Sequence, residues 1–270
     1  MAIAGLIQVQ QEQLGLPYAC GMAKSGTSYE STLRAHFAAA RAERAAARDA
    51  AVSADDRLAV RRWQQARLAA THADLLASSE FGPAARFFLS ELYSTEDLTQ
   101  RDADIERVIR ILVKFLPDKA LATLAAALEM DALSELLDAR LGKALREQSP
   151  VTTQPLTITP ANYEVAYRAM GDYHLRLRQI ALTEEIGLAL DKLARMPLLA
   201  GLLRMMRGPA HAGGVGGLHE FLERGYAAFA HMKDGRAFIL TIVERERTEH
   251  ERLAGGTREP AAGPAHAACR

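Results

Sequence analysis

Apolar positions recur along the chain at helical spacing, and the longest run without a breaker extends from Thr159 to Pro197. Thr159 is a suitable N-cap, Pro160 suits the first helical position, and Pro197 prevents simple continuation of the helix. Gly171 and Gly187 are the weak points between these ends. The pattern predicts one long central helix around which the other helices pack.

The apolar side chains of this predicted helix spread over more than half of its circumference. A surface helix shows an apolar stripe of roughly 100°, so several neighbours are expected around this one. A narrow polar arc is expected to face water, and it holds Asp172, Arg176, Gln179 and Thr183. Four side chains with polar groups project instead from within the apolar arc, namely Tyr167, His174, Arg178 and Glu185.

Helical spacing also predicts the elements on both sides of the central helix. Residues 28–51 and 53–78 form a predicted hairpin whose first arm, rich in Ala and Arg, either packs on a neighbour or projects and pairs with another chain. Further predicted elements are helices at 84–93, 99–116, 198–207, 218–232 and 236–253, an extended linker at 149–159 and a Gly-rich loop at 208–217. Residues 118–147 are predicted as one bent helix or as two short ones joined at Met130-Asp131.

No run of residues shows the period-two alternation of a half-buried strand, so the predicted fold class is all-α, a multi-helix bundle. The predicted organisation is a flexible leader at 1–27, a single all-helical domain at 28–253 and a disordered tail at 254–270. The hairpin at 28–78 is the part of this domain that can project from it.

Composition and charge narrow the classes of function. The 270 residues are 49% hydrophobic, and the 33 basic residues equal the 33 acidic ones, so a nucleic-acid partner is not expected. The two cysteines, Cys20 and Cys269, form no disulfide or zinc pattern. No run approaches the ~20 apolar residues of a membrane span, and no signal peptide is recognisable. These features predict a reduced cytoplasmic protein without a transmembrane segment.

Motifs for metal binding and catalysis are incomplete. In the run from His219 to Glu223, a glutamate occupies the position at which the zinc-binding HExxH motif needs its second histidine. Glu246 and His250 lie one helical turn apart, a spacing that is more typical of a solvated pair than of metal ligands. No Gly-x-Ser-x-Gly segment is present. The sequence therefore predicts no metal, no cofactor and no catalytic residue, and it favours a protein that is not an enzyme.

Several segments resemble a family of uncharacterised bacterial all-helical proteins. They are the FFLxxLY segment at 87–93, the RDAD segment at 101–104, the RGPA segment at 207–210 and the FLERG segment at 221–225. The resemblance extends from about Leu75 to Leu253 and omits both termini. It implies an all-helical fold but no activity, and so supplies no site residues.

His174, Arg178 and Glu185 have two interpretations. As a buried network they pair with side chains on surrounding helices, and the candidate partners of Arg178 are Asp102, Asp104, Glu91 and Glu244. Alternatively, they line a ligand site together with Tyr167. Arg178 and Glu185 lie at positions i and i+7, about 10 Å apart along the helix axis. A direct short contact between them is therefore not expected.

Two functions of different classes follow from these patterns. The first is a non-enzymatic scaffold or adaptor that binds a protein partner, or a second copy of itself, through the hairpin at 28–78. The alternative is a binding protein or enzyme for an apolar small molecule with an acidic head group, with a pocket between the central helix and residues 198–207. In that pocket Arg204, Arg207 or His174 would hold the acidic group.

Overall fold

The computed structural model describes residues 31–39, 42, 54–92, 118–149, 156–214 and 216–255. Every regular element in these ranges is a helix, which confirms the all-α class. The predicted leader at 1–27, the predicted helix at 99–116 and all but two residues of the predicted tail lie outside the described residues. So do most of the linker at 149–159, Tyr93 and the RDAD segment at 101–104.

The described helices are labelled in chain order. They are α1 (Ala54–Thr71), α2 (Ala73–Ala77), α3 (Gly82–Phe87), a π-helical turn (Phe88–Leu92), α4 (Asp118–Glu147), α5 (Pro160–Met170), α6 (Tyr173–Ala194), α7 (Pro197–Ala212), α8 (Gly216–His231) and α9 (Gly235–Leu253). Within this set α6 packs mainly against α9 and α4, and it also contacts α8.

The long helix predicted at 159–197 is in fact two helices, so the prediction of one unbroken helix was wrong. Thr159 caps α5 as predicted, because its side chain accepts from the backbone N–H of Asn162 and the Asn162 side chain accepts from the N–H of Thr159. Gly171 then adopts φ 65°, a left-handed conformation that ends α5. A new helix, α6, starts two residues later and stops at Ala194, before Pro197 begins α7.

Helices α6 and α9 approach closely at Gly187. A Cβ atom at this position would collide with the side chain of Ile239, which is fully buried on α9. Gly187 was predicted to be a weak point, but it does not interrupt α6. The absence of a side chain there instead permits the two helices to pack closely. Leu182 and Phe238 are likewise fully buried, on α6 and α9 respectively.

The aromatic segment around Phe87 and Phe88 lies in the core, as predicted. Phe87 is 8% exposed, and Phe88 packs against Phe229 and Phe238 with ring centroids 5.7 and 6.0 Å apart. Both residues belong to the same hydrophobic cluster, which joins α3 and the π-helical turn to α8 and α9. This cluster contributes to the wall of the cavity described below.

Two breaks that the sequence allowed or predicted are absent from their expected positions. Helix α4 runs without interruption through Met130 and Asp131, so of the two alternatives for 118–147, one bent helix or two short ones, a single helix is observed. Helix α7 continues through Gly208 to Ala212 with Pro209 inside it, so the predicted Gly-rich loop begins only at Gly213. The final hairpin is confirmed, because α8 ends at His231 and the Asp234 side chain caps α9.

The described part of the Ala/Arg arm packs on a neighbour. Residues 31–39 are helical, and the buried side chains of Leu33 and Phe37 contact Leu121 and Ala125 of α4. None of the described helices combines the length and the apolar character that a membrane crossing requires.

Candidate functional site

A cavity of about 240 Å³ lies among α1, α4, α6 and α9, and Phe88 and Leu89 of the π-helical turn contribute to its wall. Its surface is mostly apolar. The apolar lining comes from Leu68, Leu75, Ala85, Phe88, Leu89, Ala127, Met130, Ile180, Ile186 and Ile242, and the polar lining includes Arg61, Gln64, Arg67, His72, Ser134, Asp138, Gln179, Thr183 and Glu246. A cavity of this kind, apolar with a few placed polar groups, is typical of small-molecule sites.

Helix α6 presents to this cavity the polar arc that the sequence analysis assigned to water. Gln179 and Thr183 line the cavity, and Arg176, one turn before Gln179, is only 6% exposed. Gln179 donates from Nε2 to Ser134 Oγ of α4 at 2.9 Å, and its Oε1 accepts from Arg176 Nη1 at 3.0 Å. The prediction that this arc faces solvent was therefore wrong, because polar groups of α1 and α4 meet it inside the protein.

The α1 and α4 wall is a buried ion-pair cluster. Asp138 is 1% exposed and accepts from Gln64 Nε2 at 2.8 Å and from Arg61 Nε at 3.3 Å. Arg61 also pairs with Glu135, which accepts from Arg57 Nη1 at 3.1 Å. Burial raises the pKa of Asp138, and the positive charges of Arg61 and Arg176 partly offset this effect.

The α9 wall is organised by Glu246. Its two carboxylate oxygens accept from Arg67 Nη1 at 3.1 Å and Nη2 at 2.7 Å, and Oε1 also lies 3.1 Å from His72 Nε2. Burial alone would raise the pKa of Glu246, but the hydrogen bonds from His72 and Arg67 outweigh burial and lower it to about 2. Glu246 is thus a fixed carboxylate at neutral pH, and the prediction that Glu246 and His250 form a solvated pair was wrong.

A smaller cavity of about 50 Å³ adjoins the larger one and shares with it the walls formed by Gln64, Arg67, Gln179, Ile180 and Glu246. It is also lined by Tyr167, Arg176 and His250. The Tyr167 hydroxyl lies 2.6 Å from His250 Nδ1, and the Arg176 guanidinium lies 5.6 Å from the centre of the Tyr167 ring. Burial raises the pKa of Tyr167 and lowers that of His250, so both side chains are uncharged at neutral pH.

Of the six site residues predicted from the sequence, Tyr167 lines a cavity and the other five do not. His174 is exposed on the outer face of α6, where the side chains of Arg178 and Glu185 are 42% and 58% exposed. Arg178 donates from Nε and Nη2 to the two carboxylate oxygens of Glu129, at 2.7 Å each. A buried network of these three residues was therefore a wrong prediction, and Glu129 was not among the predicted partners of Arg178.

Glu244 is the one predicted partner of Arg178 whose side chain the structure describes. Glu244 is exposed on α9, Asp102 and Asp104 lie outside the described residues, and nothing is described of the Glu91 side chain. Arg178 Nη1 lies 3.8 Å from Glu185 Oε2, so the expectation that these two residues do not meet was also wrong. Long side chains span the two helical turns between them.

Arg204 and Arg207 are exposed on α7, away from the residues that line the cavities. Arg207 Nη2 donates to both carboxylate oxygens of Glu223 on α8, at 2.9 and 2.8 Å. No described residue of α7 lines either cavity, so neither cavity is the pocket predicted between the central helix and residues 198–207.

The residues that the sequence analysis missed are Gln64, Arg67, Arg176 and Gln179. The chemical type of the side chains distinguishes the two faces of α6 only in part, because the inner arc also holds the ionisable Asp172 and Arg176. His174, Arg178 and Glu185 are three ionisable groups, which water solvates best, whereas the opposite arc includes the uncharged Gln179 and Thr183. For Gln64 and Arg67 the sequence carries no comparable signal, since their burial depends on α4 and α9.

Metal ligands do not converge in the described part of the chain. No group of three His, Cys, Asp or Glu side chains there is placed to hold an ion. In the HExxE segment, His219 Nε2 lies 3.4 Å from Glu223 Oε1, and Glu223 is also bound by Arg207.

Comparison with known proteins identifies a family but no activity. No curated protein and no solved structure matches the chain. A family model described as "Domain of unknown function (DUF8198)" matches residues 43–260, a range that contains α1 through α9 and both cavities. Because this match covers most of the sequence, the chain belongs to the DUF8198 family.

Proposed function

We propose that this protein binds a small, largely apolar molecule in the larger cavity. The observation that carries the proposal is the cavity itself, which has about 240 Å³ of space between helices and a mostly apolar lining interrupted by polar groups of α1, α4, α6 and α9. Ligand pockets commonly span roughly 300–1,000 Å³, so a small ligand is expected. The apolar walls supply affinity, and the polar wall orients the ligand.

Non-covalent binding fits the polar wall better than catalysis does. The carboxylates of Glu135, Asp138 and Glu246 are engaged by arginines. Glu246 is a weak general base, since the hydrogen bonds from His72 and Arg67 lower its pKa and proton uptake would sacrifice them. Of the alternative predicted from the sequence, a binding protein or an enzyme for an apolar small molecule, we therefore propose the binding protein. Its pocket lies on the inner face of α6.

Native mass spectrometry of protein purified from its host tests this proposal. We expect a small molecule to be retained on the full chain. Two variants sharpen the experiment: Ala127→Phe places a ring on the cavity wall, and Ala181→Phe adds the same ring on the exposed face of α6. Retention should be lost in the first variant and kept in the second. Bare protein of the calculated mass in all three samples would contradict the proposal.

A scaffold that binds a protein partner or a second copy is the second proposal. The exposed large apolar side chains of the described residues lie outside the hairpin, at Val165, Met196, Leu202, Met205 and Leu222. Exposed apolar surface is a feature of partner-binding proteins. The test is light scattering after size exclusion on the full chain, because deletion of residues 1–78 would also remove α1 from the core. A monomer that recovers no partner would contradict this proposal.

The remaining sequence-based predictions accompany the proposal. A cytoplasmic location, the absence of a nucleic-acid partner and a metal-free, cofactor-free protein are all expected from composition and motifs. Elemental analysis of the purified protein checks the metal prediction. One zinc or two irons per chain would contradict it.

A further inference from the structure

Arg176 is a buried cation that pairs with no carboxylate among the described residues. It lies in the first turn of α6, is 6% exposed and lines the smaller cavity. Nη1 donates to Gln179, but Nε and Nη2 have no hydrogen-bond acceptor. A buried charged donor left without an acceptor is strongly unfavourable, so such a group in a cavity wall indicates a missing partner.

The charges around Arg176 are otherwise balanced. Arg67 pairs with Glu246, and the Glu249 carboxylate accepts from Arg252 Nε at 2.8 Å and Nη2 at 2.9 Å. On α1 and α4, Arg57 and Arg61 pair with Glu135 and Asp138. His250 and Tyr167, which also line the smaller cavity, are uncharged for the reason given above. Among the described residues of this region, Arg176 is therefore the cation that forms no ion pair, although its charge acts on Asp138, which Arg61 binds.

The smaller cavity suits the head group of a molecule whose body fills the larger one. The two cavities share five lining residues, so a head group in the smaller cavity would lie next to a body in the larger one. About 50 Å³ accommodates a group equivalent to a few water molecules, since one water needs about 10–15 Å³ by this measure. Arg176 lines this cavity, but its two unpaired nitrogens are themselves buried, so contact with a guest requires the guanidinium to turn toward it.

We propose that Arg176 binds the carboxylate of an apolar organic acid whose hydrocarbon body occupies the larger cavity. A singly charged group matches Arg176, the cation of this region for which the described residues supply no ion pair. A dianionic phosphate would meet repulsion from Glu246 and Glu249, which line the same small cavity. The planar fork of a guanidinium is also suited to two-point binding of a carboxylate. This inference rests on the proposed function and adds the chemical class of the ligand.

Titration calorimetry with decanoate, decanol and decylamine tests the inference on the full chain. We expect decanoate to bind at least about tenfold more tightly than decanol, because a hydrogen bond to a charged group contributes about that factor. Decylamine should bind most weakly, since its ammonium would face Arg176. In Arg176→Met the preference for decanoate over decanol should disappear while decanol still binds.

Two control variants and a stability measurement separate a ligand site from a structural role. Arg195→Met removes an exposed arginine that follows the same helix and pairs with Asp191, and it should keep the preference for decanoate. Arg176→Lys keeps the charge without the planar fork and should show a reduced preference. The unfolding midpoint of free Arg176→Met should equal or exceed that of the wild type, because an unpaired buried charge has been removed. A large fall in that midpoint would assign Arg176 a structural role and overturn the inference.

The outcomes for the two proposals are distinguishable. Equal binding of decanoate and decanol by the wild-type protein overturns the carboxylate inference but supports an apolar cavity that binds ligands. Binding of none of the three probes, together with bare protein in native mass spectrometry, overturns both proposals. The wild-type comparison decides the inference even if Arg176→Met fails to fold.

Discussion

The two faces of α6 carry similar side chains in opposite environments. Arg176 on the inner face is 6% exposed and pairs with no carboxylate among the described residues, whereas the side chain of Arg178 on the outer face is 42% exposed and binds Glu129 through two hydrogen bonds. The two arginines are separated by one residue. The packing of the surrounding helices, and not the type of side chain, therefore determines which of the two arginines is buried.

This difference has energetic consequences. On the outer face, water screens each charge, so an ion pair there contributes about 0–1 kcal/mol. On the inner side, every charged group depends on a specific partner, and removing one partner leaves the other buried and unpaired. The inner cluster should therefore respond to single substitutions strongly and non-additively, and the outer cluster weakly and additively.

The largest effect is expected for Arg67→Ala, which leaves the Glu246 carboxylate with only His72 as a partner. We expect the free energy of unfolding to fall by about 3–5 kcal/mol, as for other broken buried pairs. The double variant Arg67→Met/Glu246→Leu should lose much less, because no charge is left buried. Urea unfolding measures both. A loss below about 1 kcal/mol in Arg67→Ala would show that this cluster behaves like the outer face.

The pH dependence of stability is the second prediction. The pKa of Glu246 is about 2 in the folded protein and 4.5 in its unperturbed state. Its contribution to stability is therefore fully present above about pH 4.5 and is lost as the pH falls toward 2, with a total of about 3 kcal/mol at most. In Glu246→Gln the unfolding free energy should depend less steeply on pH in this window. An unchanged slope would contradict the prediction.

Small effects are expected on the outer face. Arg178→Ala and Glu185→Ala should each lower the unfolding free energy by less than about 1 kcal/mol, because both side chains are substantially exposed. The double variant separates this expectation from a cooperative network, since the two losses should add within about 0.5 kcal/mol. A loss of about 3 kcal/mol in either single variant would restore the buried network that the sequence suggested.

The smallest effect is expected for His174→Ala. His174 is exposed near the start of α6, so its substitution should change the unfolding free energy by no more than about 0.5 kcal/mol. Retention of the copurified ligand should also be unaffected, since His174 lines neither cavity. Loss of that ligand in this variant would return the binding site to the residues predicted from the sequence.

Local features of the sequence determined a large part of this fold. Helical spacing of apolar residues predicted the all-α class and the final hairpin, and the Thr159-Pro160 pair predicted the start of α5, because capping and periodicity involve residues a few positions apart. Gly171 was recognised as a weak point. Only the structure distinguishes it from Gly187. Gly171 ends a helix because it adopts a left-handed φ, whereas Gly187 lies within a helix where Ile239 approaches closely.

The tertiary structure alone decided which face of α6 is buried. Its apolar arc covers more than half of the helix, so periodicity gave no unique inward direction. Gln64, Arg67, Asp138 and Glu246 come from three other helices, and together they make a polar interior in which Gln179 and Thr183 are accommodated. Burial of a polar side chain depends on partners distant in sequence, whereas the tendency to form a helix depends on near neighbours. For this reason the sequence determined the helices of this protein, and only their packing determined its cavities.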